Sequence, residues 1–301
     1  MVNVSVIIVN YNAGLLLNKA VSSVLCSESV SKVIVVDNSS TDHSMDEMER
    51  LAASQSRLIS IRNNKNLGFA KACNIGIAAA GEKDALLFLN PDCLMEDNAL
   101  EKLLACMKSS PKAGMAGPLL LNPDGTEQAG GRRAVPTPWR SFVRAFGLSK
   151  LGERFPRLFS DFLLHQQSLP AGPMAVEAIS GSCMLVRREA LLDVGPLDED
   201  YFMHCEDLDW CMRFRQKGWK IMFVPDAHVV HHQGTCSKAR PVFVEWHKHK
   251  GMMRFYHKFF RHQYPGVLLW IVGIGVWLRF SAVAVLYSAR NLKRWITHDR
   301  F

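Results

Sequence analysis

Val4-Ser5-Val6-Ile7-Ile8-Val9-Asn10-Tyr11-Asn12 is a short β-branched run that stops at two asparagines flanking a tyrosine. A run this apolar on consecutive positions is a strand covered on both faces, and asparagine beside it marks a turn. The pattern recurs along the chain. Val33 to Val36 ends at Asp37-Asn38-Ser39-Ser40-Thr41-Asp42, Leu58 to Arg62 leads into the stretch from Asn63 to Gly68, and Leu86-Leu87-Phe88-Leu89 ends at Asn90-Pro91-Asp92. Between these strands, residues 14–25, 45–53, 68–80 and 97–109 have helical spacing. Alternating strand, loop and helix implies a sheet of mainly parallel strands flanked by helices, an α/β fold. In such sheets ligands collect beyond the carboxyl ends of the strands. Four polar clusters share that rim, more than tight turns alone require.

The pattern weakens over residues 122–175, where Gly130-Gly131-Arg132-Arg133 and several prolines read as a mobile loop with short helices. It returns with a strand from Ile179 to Val186 and a helix from Glu206 to Lys217 stopped by Gly218. Two short strands follow, at 220–224 and 227–231. Residues 1–240 are expected to form the α/β domain, and 241–301 a basic, aromatic and hydrophobic helical tail.

The formal net charge is +8, but residues 238–301 hold 12 Lys/Arg against 2 Asp/Glu. The body is therefore slightly acidic and the tail strongly basic. That distribution points the tail toward an anionic surface such as phospholipid headgroups and gives no basis for a nucleic-acid partner. The eight cysteines, at 26, 73, 93, 106, 183, 205, 211 and 236, have no zinc spacing and read as reduced thiols of a cytoplasmic protein. The first apolar run lacks the basic leader and cleavage site of a secretory signal. Asn-Tyr-Asn after the first strand, where a dinucleotide fold has GxGxxG, speaks against a nicotinamide dehydrogenase.

Each polar motif has an ordinary and a chemical reading. Asn90-Pro91-Asp92 is a common turn, yet a carboxylate there can hold a divalent cation whose other ligands are substrate phosphates. Glu206, Asp207 and Asp209 crowd the first turn of a helix, where acids favour the macrodipole. Capping does not need three acids, and one beside a cleft can deprotonate a hydroxyl. Asp209 and Arg213 are also spaced as a helix-face ion pair. His231, or its rival His232, can add an imidazole nitrogen to a metal, as most isolated histidines do not. Asp37 can cap a helix or accept the N3–H of a pyrimidine. Lys71 can meet a phosphate or simply face water.

Taken together, these segments resemble the family 2 glycosyltransferases of the GT-A fold, and within them the bacterial rhamnosyltransferase-like branch. The matching pieces are Val6 to Asn12, Val35 to Asp42, Asn66-Leu67-Gly68-Phe69-Ala70 with Asn74, and Leu89 to Asp92. They continue with Gly181-Ser182, Leu197-Asp198-Glu199, Glu206 to Cys211 with Arg213, and His231-His232. The resemblance covers about residues 3–265. It implies that Asn10, Tyr11, Asn12 and Asp37 form the nucleoside side of a site, with Asn66, Gly68, Lys71, Asn90, Gly181, Glu206 and Asp209 also touching substrates. It further implies that Asp92 and His231 hold Mg2+ or Mn2+ and that Asp207 is the general base of an inverting transfer. The sequence departs from the family's paired acids by having Asn90 in the first position.

The donor implied is a nucleoside-diphosphate sugar, dTDP-L-rhamnose in this branch, with a UDP-hexose or UDP-HexNAc as the alternative. The acceptor implied is lipid-linked or a polysaccharide. A GT-A scaffold without activity is the rival from another class, and the intact Asp92 and Asp207 argue against it. Residues 265–289 are apolar except for Arg279, which costs roughly 2.5–3.5 kcal/mol at a bilayer centre. The segment reads as a helix lying in the membrane interface, with a single span as the alternative. The expected location is the inner face of the cell membrane, peripherally bound.

Overall fold

Every residue of Val4–Asn10 (β1) is buried, as its uninterrupted apolar run requires of a strand with neighbours on both sides and helices on both faces. The structure, a computed structural model, describes residues 2–155, 158–159, 161–234 and 240–298; Cys236, the last of the eight cysteines, lies outside them. After β1 come Leu15–Leu25 (α1), Val30–Asp37 (β2), Ser44–Ser54 (α2), Leu58–Arg62 (β3), Phe69–Ala80 (α3), Ala85–Leu89 (β4), Cys93–Met95 (β5), Ala99–Ser109 (α4) and Ala113–Leu121 (β6). Then follow Arg132–Arg133 (β7), Pro138–Ala145 (α5), Met174–Val176 (β8), Ala178–Ile179 (β9), Cys183–Arg187 (β10), Arg188–Val194 (α6), Glu206–Gln216 (α7), Lys220–His231 (β11), Pro241–Phe260 (α8) and Gly266–His298 (α9).

The main sheet has the order β3-β2-β1-β4-β10-β6-β11-β5, with β8 added on β11. β3, β2, β1 and β4 are mutually parallel. β10 reverses direction and lies antiparallel between β4 and β6, with Cys183 opposite Leu89. That reversal places the start of β10 at the carboxyl end of β4. One face packs Val6, Ile8, Val33 and Leu87 against Leu17 and Val21 of α1 and Leu103 of α4. On the other face, Trp210 of α7 meets Phe88 of β4 edge-on at 5.2 Å between centroids. α3 lies so close to β1 that a Cβ on Gly76 would be 2.4 Å from Ile7 Cγ2.

β6 has no counterpart in the expected strand set, although it lies well inside the sheet. Its sequence, AGMAGPLLL, carries two glycines and a proline, which ordinarily argue against a strand interior. The glycines make room: a Cβ on Gly114 would be 2.9 Å from Phe214 and Trp219, and one on Gly117 would be 2.8 Å from Ile179. Pro118 sits where the register against β11 slips, between Val224 and His228. The same irregularity joins the two short strands expected at 220–224 and 227–231 into one.

By internal packing the chain forms two units: Met1–Val135 with Phe162–Phe202 and Glu206–Cys236, and Pro136–Asp161 with Met203–Cys205 and Ser237–Phe301. The second unit thus takes in two segments from within residues 1–240. Inside it, Trp246 of α8 packs on Trp277 and Phe280 of α9 at 5.0 and 5.4 Å. Tyr256 of α8 donates to Ser141 Oγ of α5 at 2.6 Å. Residues Gly266–Ala289 of α9 form a stretch of mean hydropathy 2.0, of which only 11% is buried. At 1.5 Å per residue its 24 residues extend about 36 Å, enough to cross a hydrocarbon core of about 30 Å.

Placing a branched side chain at Gly76 would force α3 off β1. Gly76→Val is expected to lower stability by about 1–3 kcal/mol, the usual cost of overpacking, as measured by chemical denaturation of the purified protein.

Candidate active site

At the carboxyl ends of β1 and β2, Asn10 Nδ2 donates to Asp37 Oδ1 at 2.9 Å, Ser40 Oγ at 3.0 Å and Ser44 Oγ at 2.9 Å. Asp37 also accepts from the N–H and hydroxyl of Ser40. Asn12, in left-handed backbone, accepts the N–H groups of Thr41 and Asp42 at 2.7 and 3.3 Å. Asn10 and Asp37 are 0% and 1% exposed. They are the inner frame of a cradle whose half-buried surface is Tyr11 and Asn12. The expectation that Asp37 itself contacts a base meets a carboxylate already bonded through both oxygens to its own loop.

The next strand end is tied to this cradle. Asn38 donates to Gly68 O at 3.1 Å and accepts from Asn63, while Asn66 Oδ1 accepts the Gly68 N–H at 2.9 Å. Gly68 has φ +87°, and a Cβ on it would stand 2.5 Å from the Phe202 carbonyl oxygen. Its role in this structure is close backbone approach. Lys71 points elsewhere: it is half exposed and pairs with Glu199 at 3.6 Å.

Asn90 and Asp92 follow β4. The Asn90 N–H donates to Ser182 O at 2.8 Å. Asp92 Oδ1 lies 3.3 Å from His231 Nε2, and both side chains are buried. His232 contributes its backbone N–H to Asp92 O at 2.9 Å, so His231 is the one whose ring faces the carboxylate. His231 Nδ1 is 2.6 Å from Gln128 Oε1, while Gln128 Nε2 donates to Asn122 Oδ1 at 3.1 Å and to His231 O at 3.3 Å. With its NH2 group so engaged, Gln128 offers Oε1 as acceptor to an Nδ1–H. The lone pair of Nε2 then faces Asp92, the arrangement found in histidines that ligate metals. Two acceptor groups side by side suit a cation between them. Cys93 Sγ is within 4.8 Å of both. Burial first, and then the Asp92 charge, raise its pKa well above the usual thiol range. The Asp92 carboxylate and His231 imidazole make an N,O pair of the kind that suits a hard or borderline divalent ion.

Asp207 enters from α7. Its Oδ2 accepts the Gly181 N–H at 3.0 Å and an ion pair from Arg133, and its Oδ1 accepts the Leu208 N–H at 2.8 Å. A Cβ on Gly181 would be 3.2 Å from Asp207 Cβ, so this glycine fits the acid closely. Because Gly181 adjoins Ser182, which holds Asn90, the Asp207 and Asp92 loops meet across one strand end. Glu206 is buried, and its Oε2 has no hydrogen-bond partner. Burial and then the Asp207 charge push its pKa up to about 8. Asp209 lies two residues, or 200°, around the helix from Asp207. It pairs with Arg213 at 2.7 Å, which also holds Val194 O and Pro196 O. Asp209 fastens α7 to the preceding loop, as its ion-pair spacing foretold, and the structure does not bring it to Asp207.

The sequence reading missed Gln128, Asn122 and Arg133. Within the stretch 122–175 expected to be a mobile loop, residues 128–133 are held at two points: Gln128 buttresses His231 and Arg133 meets Asp207. Between them Arg132 makes a two-pronged pair with Glu127 and donates to Gln167 O at 2.6 Å. The signal available was the Arg-Arg pair after two glycines, which composition alone does not distinguish from a solvent-facing loop.

A mixed sheet with one reversed strand at its middle and these polar loops on its rim is that of the GT-A glycosyltransferases. The solved mannosyltransferase PcManGT from Pyrobaculum calidifontis, in complex with GDP-Man and Mn2+, shares the fold with a TM-score of 0.58 at 16% identity, over 98% of this chain and 83% of its own. The model of glycosyl transferase family 2 matches residues 5–195. The N-acetylglucosaminyl-diphospho-decaprenol L-rhamnosyltransferase of Mycobacterium tuberculosis (strain H37Rv) is 32% identical over 250 residues, 78% of each chain. The dTDP-rhamnosyl transferase RfbF of Shigella flexneri is 27% identical over 237 residues, 78% of this chain and 71% of that one. The chain therefore belongs to glycosyl transferase family 2, as a rhamnosyltransferase-like glycosyltransferase.

The Glu206 carboxyl makes stability depend on pH. Below about pH 4.5, its ordinary value, it is neutral in folded and unfolded chains alike. As pH rises to about 8 the unfolded chain ionises it freely while the folded chain keeps the proton, so stability is lost across that window. Glu206→Gln keeps the neutral form. Its Tm relative to wild type should climb by several degrees between pH 5 and 8.5 in differential scanning calorimetry.

Proposed function

We propose that this enzyme transfers L-rhamnose from dTDP-L-rhamnose to a sugar carried on a polyprenyl diphosphate, with inversion at the anomeric carbon. The relatives' names support this reading, one by its dTDP-rhamnosyl donor and one by its diphospho-decaprenol acceptor. The observation that carries it is the junction at β4 and β10, where the Asn90–Ser182 and Gly181–Asp207 hydrogen bonds tie the loop of Asp92 to the acid on α7.

In this reading Tyr11 and Asn12 receive the nucleoside, while Asn10 and Asp37 hold their loop rigid. Asp92 and His231 would hold a Mg2+ or Mn2+ ion, which would supply positive charge to offset the departing diphosphate. Asp207 takes the proton of the acceptor hydroxyl. The acceptor oxygen bonds to the anomeric carbon from the face opposite the diphosphate, and the anomeric C–O bond breaks with its electron pair leaving on the phosphate. Glu206, protonated at neutral pH, can donate a hydrogen bond to a substrate oxygen through its unpaired carboxyl. The apolar α9 and the basic α8 serve as a membrane attachment at the inner face of the cell membrane, where a lipid-carried acceptor resides.

A panel of nucleoside-diphosphate sugars, assayed with Mn2+ for release of nucleoside diphosphate, should show transfer from dTDP-L-rhamnose. Asp207→Asn should lower turnover by about 10²–10⁴-fold while nucleotide binding persists. Wild-type turnover by that variant would remove Asp207 from the base role, and preference for a UDP-hexose would replace the donor. Deleting residues 265–301 should move the protein from the membrane to the soluble fraction on ultracentrifugation. Unchanged sedimentation would overturn the attachment.

A further inference from the structure

α8 and α9 pack against each other on either side of the turn between Phe260 and Gly266, and a groove of about 830 Å³ lies between them. Sites for one small molecule span about 300–1,000 Å³. Met253, His257 and Arg261 line the groove from α8, and their spacing puts them on one helix face. Trp270, Ile274 and Trp277 line it from α9. At Gly273 the helices come close without filling the space: a Cβ there would be 3.2 Å from Met253 Cε. The groove is graded along its length. Arg261 sits at the turn, whereas Trp277 lies about 16 Å further along α9 than Gly266, stacked near Trp246 at 5.0 Å.

The cations here have no matching acids. From Trp246 to His298 the sequence contains no aspartate or glutamate. Glu245, just before, is taken by Lys248 and His249. His257 and Arg261 are exposed, and neither is in an ion pair among the described residues. The α9 wall belongs to the stretch Gly266–Ala289, of which 11% is buried. Such a wall is unfavourable against water and favourable against hydrocarbon. An apolar trough that ends in an unmatched cation suits a ligand with a hydrocarbon chain and an anionic head.

We propose that this groove binds one phosphorylated isoprenoid chain, with the phosphate on Arg261 and His257 and the hydrocarbon along Trp270, Ile274 and Trp277. The guanidinium fork suits a phosphate, and the indoles offer broad apolar faces to a branched chain. A groove of this size admits one hydrocarbon chain, whereas a two-chain phospholipid would leave its second chain outside. The choice of an isoprenoid rests on the proposed reading of an acceptor carried on a polyprenyl diphosphate, and it gives the carrier lipid a site of its own. α8 and α9 then do more than attach the enzyme to a membrane: they select a lipid.

Farnesyl phosphate is the probe, titrated calorimetrically into the full-length protein in detergent, with neither donor nor metal present. Arg261→Gln should weaken its binding by about tenfold or more, the loss of one charge-assisted contact. The same variant should bind farnesol, which has no phosphate, as wild type does. Gly273→Leu, which fills the groove, should weaken both ligands by a similar factor. Because that change can also loosen the hairpin, Ile274→Trp repeats the filling at a side chain that is 40% exposed. A farnesyl phosphate with a benzophenone at its chain end should label peptides of α9 between Trp270 and Leu278. Unchanged binding in all three variants, or labelling confined to other segments, would overturn the proposal. Equal loss of farnesol and farnesyl phosphate in Arg261→Gln would remove the phosphate contact. Displacement of farnesyl phosphate by an equal concentration of dioleoyl phosphatidylglycerol would make the occupant a membrane phospholipid and overturn the isoprenoid. Failure of every donor sugar to be transferred would instead sink the proposed reaction, and these titrations would still judge the groove.

Discussion

The hydrogen bond from Asn90 N–H to Ser182 O, at 2.8 Å, joins residues that are far apart in sequence, and the site is assembled around it. It exists because β10 runs against β4 rather than with it, so that the end of one strand abuts the start of the other. A parallel β10 would begin at the opposite edge of the sheet and carry Gly181 away from the polar rim. With the reversal, Gly181 can hold Asp207 through its N–H, and Trp210, one turn further along α7, is braced on Phe88 of β4. Backbone pairing thus links the loop carrying Asp92 to the acid, and side-chain packing locks the helix that carries the acid.

The segment from Gln128 to Arg133 serves the two ends of the site at once. Gln128 orients the imidazole of His231, and five residues later Arg133 balances Asp207. Arg132 between them is buried and anchored to Glu127 and to backbone carbonyls, which keeps the stretch from slackening. Adjacent arginines therefore do unlike things, one fixing the backbone and the other pairing with the acid on α7. Moving this segment would disturb the histidine and the acid together.

Strands and helices up to Ser109, apart from the three-residue β5, were legible in the sequence to within a few residues, because apolar runs and helical spacing there have no competing pattern. β6 was not, since its glycines and Pro118 answer to neighbours such as Phe214 and Ile179 that only the folded chain brings near. At the site, Asp92 lies beside His231, and the Gly181 N–H holds Asp207. Asp209 and Lys71 do not join them, each being drawn to a nearby opposite charge. Gln128 and Arg133 were invisible because their partners lie more than 70 residues away. Neither glutamine nor arginine announces such a tie by spacing.

Asn90 stands where a second acid would complete a paired-carboxylate motif, so the chain itself offers a hard cation one carboxylate and one imidazole. A hard cation held there would need further oxygen ligands, which substrate phosphates and water would supply. On the proposed reading, Asp92 and His231 act as a clasp that closes on an ion already escorted by its nucleotide. Dialysing the nucleotide away would then strip the ion with it, and each catalytic cycle would begin with a fresh pair of passengers.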